Sequence, residues 1–112
     1  MKRYTSFNDF WPHYVREHAK PSTRALHFVG TSLILPLLYL GFSASSYWFF
    51  IIPLVAYGLA WTGHFFIERN RPATFQYPLW SLLGDFKMFA YMLQGKMSAE
   101  VIRCRELNRE DN

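Results

Sequence analysis

Between Arg24 and Glu68 the chain carries no aspartate, glutamate, lysine or arginine. A helix that faces water needs polar side chains on its outer face, so this interval cannot fold as a water-bathed helical pair. A bilayer-crossing helix needs about 20 mostly apolar residues, and the interval has room for two with a short turn between them. LHFVGTSLILPLLYLGF, residues 26–42, supplies the first span. YWFFIIPLVAYGLAWTGHFFI, residues 47–67, supplies the second, and the uncharged SASS joins them. Pro36 and Pro53 fall inside the spans, where neighbouring groups can satisfy the carbonyls that proline frees. The whole chain has 112 residues, the size of one domain. Its expected class is all-α: a small integral membrane helical bundle whose two-span hairpin is flanked by amphipathic or interfacial helices.

Residues 1–20 read as the first flanking helix. Asn8 or Asp9 can cap it, with Pro12 in the first turn, where a missing N–H costs little. Phe7, Phe10, Trp11, Tyr14 and Val15 recur at helical spacing and form an aromatic face. That face is expected to pack in a core or to sit at the membrane boundary. Pro21 ends this helix, and Ser22 or Thr23 caps the next. After the second span, NRPATFQYP is a proline-bounded loop. LWSLLGDFKMFAYMLQG follows as a helix stopped by Gly95. Asp85 and Lys87 midway make it an interfacial or bundle-packed helix rather than a third span. Ser98 is expected to cap a last charged helix, residues 98–109.

The N-terminus shows no apolar h-region and no small-residue cleavage site, so the apolar segments read as retained spans. The single cysteine, Cys104, excludes an internal disulfide and a zinc–thiolate cluster. Lys2, Arg3, Arg16, Lys20 and Arg24 precede the first span, Arg69 and Arg71 follow the second, and the turn between is uncharged. Both termini are therefore expected on the cytoplasmic side. The net charge of +4 suits anionic lipid headgroups. The basic residues are scattered around apolar helices, which argues against nucleic acid as a partner.

Polar residues gather at one end of the hairpin. His18 closes the first helix, His27 lies in the first turns of the first span, and His64 and Glu68 lie in the last turns of the second. In a continuous α-helix His64 and Glu68 share one face. Imidazole and carboxylate are good ligands for iron, zinc or manganese, and two histidines with one carboxylate suit O2-using iron(II). Interfacial imidazoles in ordinary hydrogen bonds, with His64–Glu68 as a simple helical pair, are the alternative from spacing alone. His13 belongs to the aromatic face and reads as structural or interfacial.

At these residues the chain resembles a known family. FWPHYVREHAKPSTRALHFVGT, followed by GHFFIERNRPATFQYPLWSLLGDFKMF, resembles the 2-hydroxy fatty acid dioxygenase family, over about residues 7–95. The blocks EHxxPxxRxxHxxG and GHxxxExNxPAT stand in order at either end of the hairpin. The resemblance implies an iron(II)-dependent enzyme that uses O2 to shorten 2-hydroxy fatty acids by one carbon, an α-oxidation linked in fungal members to breakdown of phytosphingosine-type bases. It implies metal ligands at His18, His27 and His64. Its other polar signature positions fall at Glu17, Arg24, Glu68, Asn70 and Asp85. Arg24 is then the candidate partner for the substrate carboxylate, or an interfacial anchor. Glu68 is a further ligand or a partner of an imidazole, and Glu17, Asn70 and Asp85 are supporting residues around the ligands. Asp85 can pair with Arg24 or Lys87. The acyl chain is expected near Phe65, Phe66, Trp80 and Phe89. The short chain is similar to bacterial members, which implies an inner-membrane location. Two other classes remain: a non-catalytic membrane interaction protein, and a zinc-dependent lipid hydrolase.

Overall fold

A computed structural model describes residues 4–111; Lys2 and Arg3, counted above in the charge asymmetry, lie outside them. Among the described residues there are five helices and no strands: α1 (Phe7–Arg16), α2 (Pro21–Ser43), α3 (Trp48–Thr62), α4 (Pro78–Leu93) and α5 (Met97–Asp111). A π-helical segment, Gly63–Glu68, continues α3, and a 3-10 turn, Ala73–Phe75, precedes α4.

Helices α2 and α3 form the expected hairpin. Both α2 and the continuous Trp48–Glu68 helix are long and apolar enough to cross a membrane, and only 17% of each apolar window is buried. The core helix of a water-soluble protein would be mostly buried, so these helices need an apolar surround. At 1.5 Å per residue, α2 is roughly 35 Å long, enough for a hydrocarbon layer of about 30 Å. The two helices meet where side chains are small: a Cβ on Gly30 would touch the Ala56 backbone at 3.5 Å.

The folded core sits at the end of the hairpin, not within it. Phe10, Trp11, Tyr14 and Val15 of α1 meet Met88 of α4 and Met97, Val101 and Cys104 of α5, all buried. The aromatic face of α1 is thus core. Lys87 lays its ammonium 4.4 Å from the Trp11 ring centroid, between Phe7 and Tyr91. At 16 residues, roughly 24 Å, α4 is too short to span the bilayer.

Helix starts differ from expectation. Ser6, not Asn8 or Asp9, caps α1: its Oγ accepts the Asp9 N–H at 3.2 Å. Asp9 then lies in the first turn, where the helix dipole favours an acid, and Pro12 falls one turn further in. Neither Ser22 nor Thr23 caps α2; Lys20 is the N-cap and Pro21 the first helical residue, where its missing N–H is not needed. Ser98 lies inside α5, which starts at Met97. Gly95 ends α4 at φ +70, as expected of a left-handed stop.

Candidate metal centre

Three segments deliver one histidine each. His18 lies in the turn after α1, where its N–H bonds to the Val15 carbonyl at 3.0 Å. His27 lies in the second turn of α2, and His64 in the π-helical segment. All three are buried. His18 Nε2 is 3.2 Å from His27 Nε2 and 3.0 Å from His64 Nε2. The ligand atoms of the three all lie within 4.8 Å of one another.

The opposite edges of His18 and His64 fix their tautomers. His18 Nδ1–H donates to the Tyr14 carbonyl at 2.6 Å. His64 Nδ1–H donates to Asn70 Oδ1 at 2.7 Å. The Asn70 amide cannot be reversed, because its Nδ2 donates to the Glu17 carbonyl at 3.1 Å. His27 Nδ1 faces Asp85 Oδ1 at 3.4 Å. With the His18 and His64 protons held at Nδ1, their Nε2 lone pairs face each other at 3.0 Å with His27 Nε2 3.2 Å from His18 Nε2, a cluster of donor atoms that a cation would satisfy. Burial, and then the neighbouring imidazoles of His27 and His64, push the His18 pKa well below the ordinary histidine value, which keeps it neutral. Nitrogens bound to one ion at about 2.1 Å and near right angles lie about 3 Å apart. The donor set therefore fits a metal ion.

The surrounding contacts give each ring a rigid backing. Tyr14 stacks on His18 with centroids 4.1 Å apart, and its hydroxyl donates a hydrogen bond to Asp85. Burial, and then the Asp85 charge, raise the Tyr14 pKa well above its usual value, so the phenol remains the donor. Asp85 thus links Tyr14 to His27, rather than pairing with Arg24 or Lys87. The close approach of α4 depends on Gly84, where a Cβ would meet the Tyr14 ring at 2.9 Å. Arg69 adopts left-handed backbone, φ 59, and this reversal brings Asn70 back over the π turn, its N–H bonding the His64 carbonyl at 2.9 Å.

The remaining sequence candidates lie beside the trio. Glu68 ends the π-helical segment that carries His64, and its hydrogen-bond partners lie at the start of α2. Its carboxylate accepts the Lys20 N–H at 2.9 Å and the Thr23 hydroxyl at 3.1 Å, tying the end of one span to the start of the other. Arg24 Nη1 donates to the carbonyls of His18 and Ala19, each at 2.8 Å, and so clamps the turn that carries His18. Glu17 takes part through its backbone carbonyl; its carboxylate pairs with His13 Nε2 at 3.0 Å, outside the trio. Tyr14, Thr23, Gly63 and Gly84 were not visible as site residues in the sequence. Thr23 packs on Gly63, where a Cβ would meet its methyl at 2.9 Å.

A cleft of about 150 Å³ lies between α2, α3 and α4, with His27 and Asp85 in its lining. Its walls are apolar, formed by Ile34, Ile52, Ala56 and Ala60 among others. Phe65, Phe66, Trp80 and Phe89, expected to border an acyl chain, do not line it.

The family model described as 2-hydroxy-palmitic acid dioxygenase Mpo1-like matches residues 4–97. The chain belongs to this family. The match takes in α1 to α4, and with them all three histidines of the Mpo1-like centre, Asn70 and Asp85. No curated protein and no solved structure matched the chain.

Proposed function

We propose that this Mpo1-like protein is an iron(II)-dependent dioxygenase that cleaves the C1–C2 bond of 2-hydroxy fatty acids and releases an acid one carbon shorter. The observation that carries this reading is the close approach of three buried imidazole Nε2 atoms beside an apolar cleft that His27 and Asp85 line. The family description supports the reaction and substrate class. His18, His27 and His64 would hold the iron, which supplies the O2 chemistry when bound. The chain supplies orientation. Tyr14, Asn70 and Asp85 hold the three Nδ1 atoms and so aim the Nε2 atoms inward. The cleft gives the reacting end of the substrate a dry wall.

Arg24 is assigned to positioning His18 and Glu68 to joining the two spans. Arg24→Lys separates the positioning role from carboxylate binding, since an ammonium lacks the planar fork. Positioning predicts lower metal occupancy and kcat at unchanged KM; carboxylate binding predicts a raised KM. In this reading the hairpin crosses a bacterial inner membrane with both termini cytoplasmic; the low burial of the two helices supports the membrane crossing, and the charge asymmetry supports the orientation.

The test is turnover of 2-hydroxypalmitate by detergent-purified protein loaded anaerobically with Fe(II) or with Zn(II), then given air or argon. Pentadecanoate with Fe(II) and air alone is the expected result. Product that is independent of O2 would favour a zinc hydrolase, and no product without bound metal would favour a non-catalytic membrane protein.

A further inference from the structure

The cleft has a direction and a measurable capacity. On α2 its lining residues His27, Thr31 and Ile34 fall at i, i+4 and i+7, one stripe of the helix. On the antiparallel α3, Ala60, Ala56 and Ile52 recur every four residues, again one stripe. Gly30 lies against Ala56, so the two stripes run past each other level by level. His27 and Asp85 form the polar end, and beyond Thr31 these stripes are apolar. From His27 to Ile34 the run is roughly 10 Å at 1.5 Å per residue.

A protein cavity of about 150 Å³ with apolar walls holds one benzene, roughly six carbons. The cleft has that volume, so it cannot enclose a long acyl chain. Its third wall is also low. Leu82 and Phe86 of α4 line it and are themselves 43% and 47% exposed. The outer surfaces of the spans continue as bare apolar side chains, with Leu35 and Leu54 each 70% exposed.

We propose that the cleft binds only the proximal segment of the substrate, roughly the first six carbons beyond the head group, and that the rest of the acyl chain leaves sideways over Leu82 and Phe86 into the lipid. This rests on the reading of the chain as a 2-hydroxy fatty acid oxygenase. The tail then lies in hydrocarbon whether the substrate is free in the bilayer or bound. No apolar area leaves water on its account, so added methylenes contribute no binding energy. Selection acts on the carbons next to the reacting centre: branches near the head group are excluded by the Ala56 and Ala60 wall, and chain length beyond the cleft goes unread.

The test uses photoreactive 2-hydroxy fatty acids with the protein in lipid nanodiscs. One probe carries a diazirine at carbon 6, the other at the penultimate carbon. The proposal expects the carbon-6 probe to label the α3 and α4 segments around Ala56 and Phe86, and the terminal probe to label lipid. In Ala56→Leu, carbon-6 labelling falls, and the ratio of kcat/KM for 2-hydroxypalmitate over 2-hydroxybutyrate drops about tenfold or more, the penalty typical of a methylene-scale clash in a pocket. The proposal is overturned if the carbon-6 probe labels other segments or nothing, or if both probes label the cleft alike. Cleft labelling without any turnover would sink the reaction and keep the cleft. Turnover with labelling elsewhere would sink the cleft and keep the reaction.

Discussion

Asn70 joins the backbone of one helix end to the imidazole of another, accepting from His64 and donating to the Glu17 carbonyl. Asn70→Ala releases the ring and leaves a carbonyl unpaired, so metal affinity is expected to fall by about 10–100-fold, measured by competition with a chelator. Asp85→Asn is expected to weaken the site comparably, because it replaces the anion facing His27 while keeping the volume. Gly84→Ala presses a methyl into the Tyr14 ring and is expected to cost about 1–3 kcal/mol of stability, read from chemical denaturation. Four site residues are legible from residue type. His18, His27 and His64 stood out as rare ionisable groups near a charge-free stretch, and Asp85 as a charge inside an apolar helix. Tyr14 could not be read the same way. It acts through a backbone carbonyl, a ring face and a hydroxyl, and in sequence it is one more aromatic on an amphipathic helix.

The elements show where periodicity is informative and where it is silent. The spans are legible from the charge-free interval, α4 as a non-spanning helix from its internal charges, and the aromatic face of α1 from its spacing. The π-helical segment is not legible, because GHFFIE has the same apolar character whether its bonds close at i+4 or i+5. Glu68 at the end of the segment accepts the Lys20 N–H at the start of α2, a long-range contact that spacing does not announce. The left-handed Arg69 that ends the segment can be tested without touching a ligand. Arg69→Val puts a β-branched residue at φ 59, and metal content is expected to fall while helicity by circular dichroism stays. α5, legible only as a charged helix, docks through Glu100, which accepts from Trp11 Nε1 at 2.6 Å and from Arg103 Nε at 2.7 Å. The hydrogen bond from Arg103 first, and that from Trp11 second, against the opposing effect of burial, lower the Glu100 pKa from 4.5 to about 2. A carboxylate with a depressed folded pKa contributes stability above its unfolded pKa and loses it as pH falls. The docking of α5 is therefore expected to weaken progressively from about pH 4.5 towards pH 2. Trp11 emission should report it, and Glu100→Gln should remove that pH dependence.

At the scale of the whole molecule, the chain separates two environments. Its described core lies among α1, α4 and α5, while the hairpin leaves most of its surface to an apolar surround, and the three histidines meet where these regions join. The proposed placement of both termini on the cytoplasmic side rests on the hairpin and on the charge asymmetry. In a Cys104→Ala background, Ser45→Cys in the turn and Lys96→Cys before α5 should react with a membrane-impermeant maleimide from opposite sides, with Ser45→Cys reached from outside the cell. The central claim is that this junction is a three-histidine iron centre. Its most direct measurement is the metal content of anaerobically purified protein after iron(II) loading and desalting, for the wild type and for His18→Ala, His27→Ala and His64→Ala. Stoichiometric iron in the wild type, lost in each variant while the helical content persists, is the expected result. Equal iron in the variants, or none in the wild type, would contradict it.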